Sequence, residues 1–490
     1  MTPSVAAEPP LTVLGPRLRW ISIGMCALVF LAAFESLAVT TVMPGISAAL
    51  DGASLYALAF SGPLAVGIIG MVVAGQWSDR TGPRSPLLAS LALFVVGLAI
   101  AGLAGSMEIL VAGRLLHGLG GGAITVALYV MVARIYPADL HPRIFAGFAA
   151  AWVVPSLVGP FLGGLVAEHL GWTWVFHGVI LLVVPAVLML RPALRRLAAD
   201  TPSARAPWRP ATVGWAVLAA AGVLAVDIAS ATGTTGGRVG AAAAFIVVLL
   251  ALRPLLPTGA LRARRGLPAV ITLRGVLSGA FLGAEVYLPY LLTDVHHVSP
   301  VLAGFALTFG GLAWALASQI HGRVAARVSD RGVLRLGTSL VLFAIAASML
   351  TSLLAAPPLA TVIVWTFAGA GMGLAYPRIS TMVLAMSTDT DRGFNSSAAT
   401  IADSIGGAVA LAGTGVVFGT LTGGPTANAP FTGVFALATL FAVGAALLVR
   451  RAAASRRAGS ETRAAPAAGP EAPTAGPEAP TDPDEVTVAA

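Results

Sequence analysis

Apolar runs long enough to cross a bilayer follow one another along almost the whole chain, and they leave room for few other folds. A span needs about 20 apolar residues at 1.5 Å each. Candidates lie near 20–43, 54–77, 86–104, 107–134, 143–166, 172–190, 211–231, 238–256, 268–293, 300–322, 333–354, 359–385, 394–420 and 430–449, fourteen in all. The seventh and eighth are the weakest, diluted by Gly and Ala, with Arg253 closing the eighth early. Only 10% of the 490 residues are charged, against about a quarter in soluble domains, too little polar surface to cover one soluble core. Alternating ten-residue strands, the mark of an outer-membrane barrel, are absent. The expected fold class is therefore an all-α polytopic membrane protein.

The basic residues orient the spans. All 29 are Arg. The lack of Lys removes a Walker A loop and a Lys Schiff base. With the N-terminus inside, inner segments receive Arg17, Arg19, Arg80, Arg84, Arg134, Arg143, Arg191, Arg195, Arg196, Arg205, Arg209, Arg262, Arg264 and Arg265. Arg323, Arg327, Arg331, Arg335, Arg450, Arg451, Arg456, Arg457 and Arg463 follow on the same side, and the outer loops receive only Arg238. That asymmetry obeys the positive-inside rule and needs an even number of spans. A multi-pass cell (inner or plasma) membrane protein with both termini cytoplasmic is expected. The net charge of +8 sits in short clusters between apolar runs, which is not a nucleic-acid footprint. Cys26 stands alone, so no internal disulfide is possible, and the N-terminus lacks a signal-peptide pattern. The end of the chain repeats "AGPEAPT" and reads as a disordered cytoplasmic tail.

Within the apolar background one short turn, "GQWSDRTGPR" from Gly75 to Arg84, is dense in Gly and charge. It has a degraded echo in "GRVAARVSDRGVLRL", Gly322 to Leu336, which places Arg80 on Arg327 and Asp79 on Ala326. Half-to-half similarity of this kind marks transporters built from repeats. The expected organisation is a cytoplasmic segment 1–19, a six-helix bundle 20–190, a linker 191–266 with two extra spans, a second six-helix bundle 267–450 and the tail 451–490.

These motifs resemble the major facilitator superfamily, and in particular its fourteen-span drug:proton antiporters. Gly75, Asp79, Arg80, Gly82 and Arg84 match the signature loop, "RLLHGLGGGA" from Arg114 the fourth-span motif, and "SLVGPFLGG", Ser156 to Gly164, the fifth-span antiporter motif. "FESLAVTTVMP" is similar to the acidic first-span motif, with Glu35 in place of Asp. His117 stands where Gln is common, Pro155 where Gly is usual, and Asp403 is unusual for its span. The resemblance implies two six-helix bundles plus a central pair, an inner-side conformational latch at 75–84, and an antiporter role for the helix bent by Pro160 beside Gly159, Gly163 and Gly164. A plain positive-inside turn and simple tight packing would use the same residues. The tight turn needs Gly82, where a side chain would clash at unusual backbone angles.

Charges inside spans are costly and mark function by default. Glu35, Arg114 and His117 fall at similar depths, roughly 8–12 Å from the outer edge on a 1.5 Å rise, and are expected to cluster. A carboxyl group there can toggle between an Arg-paired and a protonated form, or remain a static pair. Asp403 lies in the inner half of its span, with Arg378 as a possible partner or as a further proton site. Glu285, with Tyr287 and Tyr290, makes a candidate pocket wall for a cationic or amphipathic ligand. Phe34, Trp152 and Trp314 are further substrate candidates; Trp365 and Tyr376 are also deep, though most such aromatics pack. Asp227, near an outer end, reads as solvated. His296 and His297 lack further ligands, so no metal or cofactor is called for.

The function expected is secondary active efflux of a drug-like or antibiotic-like molecule in exchange for protons, by alternating access about a midplane cavity. Several buried carboxyl groups lean towards lipophilic cations. An endogenous metabolite, a siderophore or a lipid is the alternative cargo, and a non-transporting scaffold or membrane enzyme the alternative class. No HExxH, G-x-S-x-G or Walker A motif supports an enzyme. The expected partners are a small molecule, protons and the lipid bilayer, with no nucleic acid and a monomeric state.

Overall fold

A computed structural model describes residues 12–199, 207–232, 234–324, 328–388, 391–424 and 426–453. The expectations for the repeated tail, for Arg205, and for Arg327 and Ala326 in the echo of the charged turn lie outside these residues. Every regular element among them is helical. The helices are α1 (Arg19–Ala49), α2 (Leu58–Thr81), α3 (Arg84–Gly102), α4 (Met107–Ile135), α5 (His141–Leu170), α6 (Thr173–Met189), α7 (Arg191–Ala199) and α8 (Pro210–Ala231). They continue with α9 (Thr235–Leu252), α10 (Leu267–Glu285), α11 (Tyr287–Tyr290), α12 (Pro300–Val324), α13 (Asp330–Leu353), α14 (Pro358–Ala385), α15 (Arg392–Leu421) and α16 (Ala429–Ala452). Thirteen stretches are long and apolar enough to cross a membrane, and a fourteenth arises where α6 and α7 meet at a 55° bend. Both weak spans form, as α8 and α9. The ninth span is one stretch, Leu267–Val295, but not one regular helix: α10 gives way at Val286 to α11 and a π turn over Leu291–Val295.

Local chemistry sets several ends. Ser106, Thr234 and Ser329 cap α4, α9 and α13 through hydroxyls that accept from backbone N–H groups. Gly82 ends α2 at φ +81°, a left-handed value that glycine adopts without strain. No neighbouring atom lies within 4 Å of an added Cβ there, so the demand for glycine comes from the backbone angle and not from a clash. Pro155 and Pro160 sit inside α5, which runs without a break.

The packing repeats. In the first half α2 meets α4, α3 meets α4, α1 meets α5 and α6, and α3 meets α6. The second half makes the same pairings with α10, α12, α13, α14, α15 and α16 in the places of α1 to α6. Small residues let these helices touch: a Cβ on Gly369 would fall 1.9 Å from the Gly310 carbonyl oxygen, and one on Gly406 2.0 Å from that of Gly275. The halves join along α5–α12 and α2–α15. The extra helix α8 rests on both α2 and α15, with α9 behind it.

Candidate functional site

One end of the bundle carries nearly all the loop arginines and is called here the arginine-rich end. Glu35 and the fourth-helix pair lie in the other half, buried to 1% exposure for Glu35, 5% for Arg114 and 8% for His117. Arg114 Nη1 donates to Glu35 Oε1, and Arg114 Nε donates to the Ala59 carbonyl at 3.1 Å. His117 Nε2 stands 3.3 Å from the second carboxylate oxygen, and its ring lies 4.5 Å from that of Phe94. Phe60 closes the other side, 5.8 Å from the guanidinium. Two helices thus supply the three groups: α1 the carboxylate, and α4 its counter-charge and an imidazole, three residues apart and so on one face. The structure brings these three residues together.

Asp403 has a different partner from the one the sequence suggested. Arg378 pairs with Asp330 at 3.0 Å and donates to the Val328 carbonyl at 2.6 Å. Asp403 faces Arg274 of α10, with Nε–Oδ1 at 3.6 Å, and accepts from the Tyr376 hydroxyl. Arg274 Nη1 donates to Ser380 at 3.2 Å, and the guanidinium lies 5.3 Å from the Tyr376 ring centre. Arg274 was the residue missed, although an Arg interrupting the apolar run "VITLRGVL" is the signal that intramembrane charge provides. Asp227 also departs from expectation. It is half-buried, and Ser61 Oγ donates to its Oδ2 at 2.5 Å, so it ties α8 to α2 and is not simply solvated.

The aromatic candidates divide. Tyr287 and Tyr290 do not wall an open pocket: they join Tyr56, Phe418 and Phe431 in a cluster with ring centres 4.6–5.4 Å apart. Tyr56 comes from the first half and donates to the Val286 carbonyl at 2.8 Å, so this cluster plugs the arginine-poor end between the halves. Glu285, directly before the break, is half-buried and makes no ion pair or hydrogen bond among the described residues. Trp314 packs on Phe281 and Tyr376, both with centres 5.5 Å away, while Trp365 is fully buried against Phe281. Phe34 stacks on Phe30 at 6.3 Å beside Gly159, and Trp152 is 50% exposed.

Of the fifth-helix glycines, Gly164 lies on the seam between the halves, while Gly159 and Gly163 pack on α1 within the first half. A Cβ on Gly163 would stand 2.8 Å from Ala38 of α1, and one on Gly164 2.9 Å from Val301 of α12. A Cβ on Gly304 would meet the Pro160 carbonyl at 2.6 Å. Gly415 similarly abuts Ala57 on the α2–α15 seam. These approaches run from mid-height to the arginine-poor end. In the charged turn, Asp79 and Arg84 are exposed, and Asp79 makes no ion pair among the described residues. Arg80 lies 6.0 Å from the Trp208 ring, and Gln76 Oε1 accepts from the Arg209 N–H at 2.8 Å. Gly75 is loosely packed, 3.7 Å from Val126 at its virtual Cβ.

Two pseudo-symmetric helix bundles, the first holding a buried ion pair and the second partly exposed ones, joined along close glycine contacts, define a polytopic membrane protein of two related halves. The family model described as Major Facilitator Superfamily matches residues 25–337 and 275–479, and the chain belongs to that superfamily. It is 28% identical over 416 residues to the "Probable multidrug-efflux transporter Rv1634" of Mycobacterium tuberculosis, covering 79% of this chain and 85% of that one. It is 34% identical over 177 residues to the "Acurin A biosynthesis cluster MFS-type transporter" of Aspergillus aculeatus, covering 36% of this chain and 31% of that one. The crystal structure of a POT family transporter in complex with a thioalcohol conjugated peptide shares the fold, with a TM-score of 0.66 at 13% identity over 88% of this chain and 95% of that one.

Proposed function

We propose that the chain is a proton-coupled exporter that moves drug-like or antibiotic-like organic molecules out of the cell. The observation that carries this reading is the buried constellation of Glu35, Arg114 and His117. A carboxylate in the bilayer interior is stable while Arg114 faces it; once protonated it no longer needs that partner, and Arg114 keeps the Ala59 carbonyl. Glu35 is the proton carrier, Arg114 and His117 set its charge state, and Asp403 with its Arg274 and Tyr376 partners is a second carboxyl group of the same kind.

Alternating access supplies the vectorial step. The arginine-rich end faces the cytoplasm by the positive-inside rule, in a cell membrane and with both termini inside. The bundles 20–190 and 267–450 rock about the α5–α12 and α2–α15 seams, and the insert 191–266 rides between them. With the aromatic plug closed and Asp79 unpaired, the conformation described here is open towards the cytoplasm. The turn at 75–84 is a latch that engages when that side closes. Pro160 and Gly164 keep the seam tight against leakage, and Gly159 and Gly163 seat α5 on α1 behind it. Phe34, Trp152, Glu285 and Trp314 are cargo contacts, and Tyr287 and Tyr290 meet cargo only when the plug parts.

The mycobacterial relative's name supports efflux. The fungal relative's name favours a second reading, in which the cargo is a metabolite the cell makes itself. Both are tested with the purified chain in sealed proteoliposomes, an imposed pH gradient and a panel of antibiotics, lipophilic cations and secondary metabolites. Flux of at least one member that needs the gradient and stops with a protonophore is expected. Flux indifferent to the gradient for every member contradicts proton coupling.

A further inference from the structure

Arg274 stands apart from the proton-carrier constellation, on α10 in the arginine-rich half. Seven residues from the start of the helix, it lies about 10 Å in at 1.5 Å per residue. Tyr129 of α4, in the opposite half, lies six residues from its own helix end, at about the same height by that rise. Tyr129 is 48% exposed.

The pairing of Arg274 is incomplete. Its Nη1 donates to Ser380, but its Nε stands 3.6 Å from Asp403, beyond hydrogen-bond reach, and has no other acceptor. A guanidinium offers five donors in a planar fork, and a carboxylate or sulfonate can take two of them side by side. Asp403 does not depend on Arg274, because the Tyr376 hydroxyl already donates to it. Both side chains remain partly exposed, 19% for Arg274 and 27% for Asp403, although the Arg274 Nε itself is buried. Aromatic surface lies alongside, since Tyr376 touches both the guanidinium and Trp314.

We propose that Arg274 is an anion-binding anchor for cargo: an organic acid with an aromatic or apolar body places its carboxylate or sulfonate on the guanidinium fork and its body against Trp314 and Tyr376. This rests on the export reading and narrows its cargo. It also revises the leaning towards lipophilic cations, because the carboxylates of Glu35 and Asp403 both face an Arg. Asp403 then competes with the acid for Arg274.

The test is equilibrium dialysis of the purified full chain in detergent, without any gradient, against two naphthalene probes of opposite charge. These are 2-naphthalenesulfonate and (2-naphthylmethyl)trimethylammonium. Saturable sulfonate binding is expected, weakened about tenfold or more in Arg274→Gln and largely kept in Arg274→Lys, as loss of a charge-assisted fork implies. Ammonium binding should not change. Asp403→Asn removes the competitor and should tighten sulfonate binding, a response that a merely structural ion pair would not give. If Arg274→Gln does not fold, Asp403→Asn decides alone. Absent sulfonate binding, equal binding in Arg274→Gln, or no tightening in Asp403→Asn overturns the proposal. Because no gradient is used, that failure leaves proton-driven export untouched, and a failure of gradient-driven flux leaves this binding result standing.

Discussion

Arg114 holds two acceptors from two different helices, and its removal is therefore a structural as well as a functional event. Arg114→Ala leaves Glu35 charged and unpaired in the bilayer interior, a loss of about 3–5 kcal/mol for breaking a buried pair from one side. Its thermal unfolding in detergent should shift down strongly. Glu35→Gln keeps the volume and a neutral acceptor but leaves Arg114 without its counter-charge. It should also unfold earlier than wild type, though by less than Arg114→Ala, because the guanidinium keeps that acceptor and the Ala59 carbonyl. Wild-type stability in Glu35→Gln would contradict the assignment of Glu35 as the charged partner. Gly82→Ala carries a smaller cost, about 1 kcal/mol for forcing a side chain into a left-handed angle. Because the space around Gly82 is open, that cost should not grow with Gly82→Val beyond the added strain of a branched side chain. The meeting of Glu35, Arg114 and His117 was legible from depth alone, since charge in a span must find charge at its own level. The partner of Asp403 was not, because arginines lie on every one of the second half's long helices, Arg274 and Arg378 among them, and only packing decides which helix faces α15.

Helix α8 is the element that the repeat does not explain. Its one carboxylate, Asp227, receives the Ser61 hydroxyl of α2, and its outer turns also touch α15. It therefore spans the seam that must part when the arginine-poor end opens. Ser61→Ala should cost about 1.5–3 kcal/mol, the range for a hydrogen bond to a charged group, and the loss should be local. Hydrogen exchange would show it as faster exchange in α8 and α9 with the α1–α5 and α10–α15 pairings unchanged. Uniform acceleration across all helices would contradict this docking role. Helix existence was legible throughout, even for the Gly- and Ala-diluted α8 and α9, because hydropathy alone decides what can sit in a bilayer. The irregular places were not. Pro289, which has no N–H for the Glu285 carbonyl four residues back, is the one sign in the apolar run 268–293 that regular helix stops after Glu285. The 55° bend between α6 and α7 depends on how the basic segment leaves the membrane.

The whole molecule is closed at one end by the Tyr56 cluster and by glycine seams, and the exposed Tyr129 and Trp152 lie towards the other. In a Cys26→Ser background, Tyr129→Cys should react with an impermeant maleimide supplied at the arginine-rich face. Adding Gly304→Val places a side chain against the Pro160 carbonyl, disfavours the closed seam, and should lower that labelling severalfold. Unchanged labelling would mean the two ends do not open in alternation. Two-half architecture was legible from one charged turn and its echo, whereas the plug was not, since its rings come from the turn before α2 and from α11, α15 and α16, four segments with no shared pattern. The most direct test of the account is cargo flux by Glu35→Gln in proteoliposomes, measured both under a pH gradient and as gradient-free exchange of labelled for unlabelled cargo. The account predicts that gradient-driven accumulation is lost while exchange persists; accumulation at the wild-type level in Glu35→Gln would contradict it.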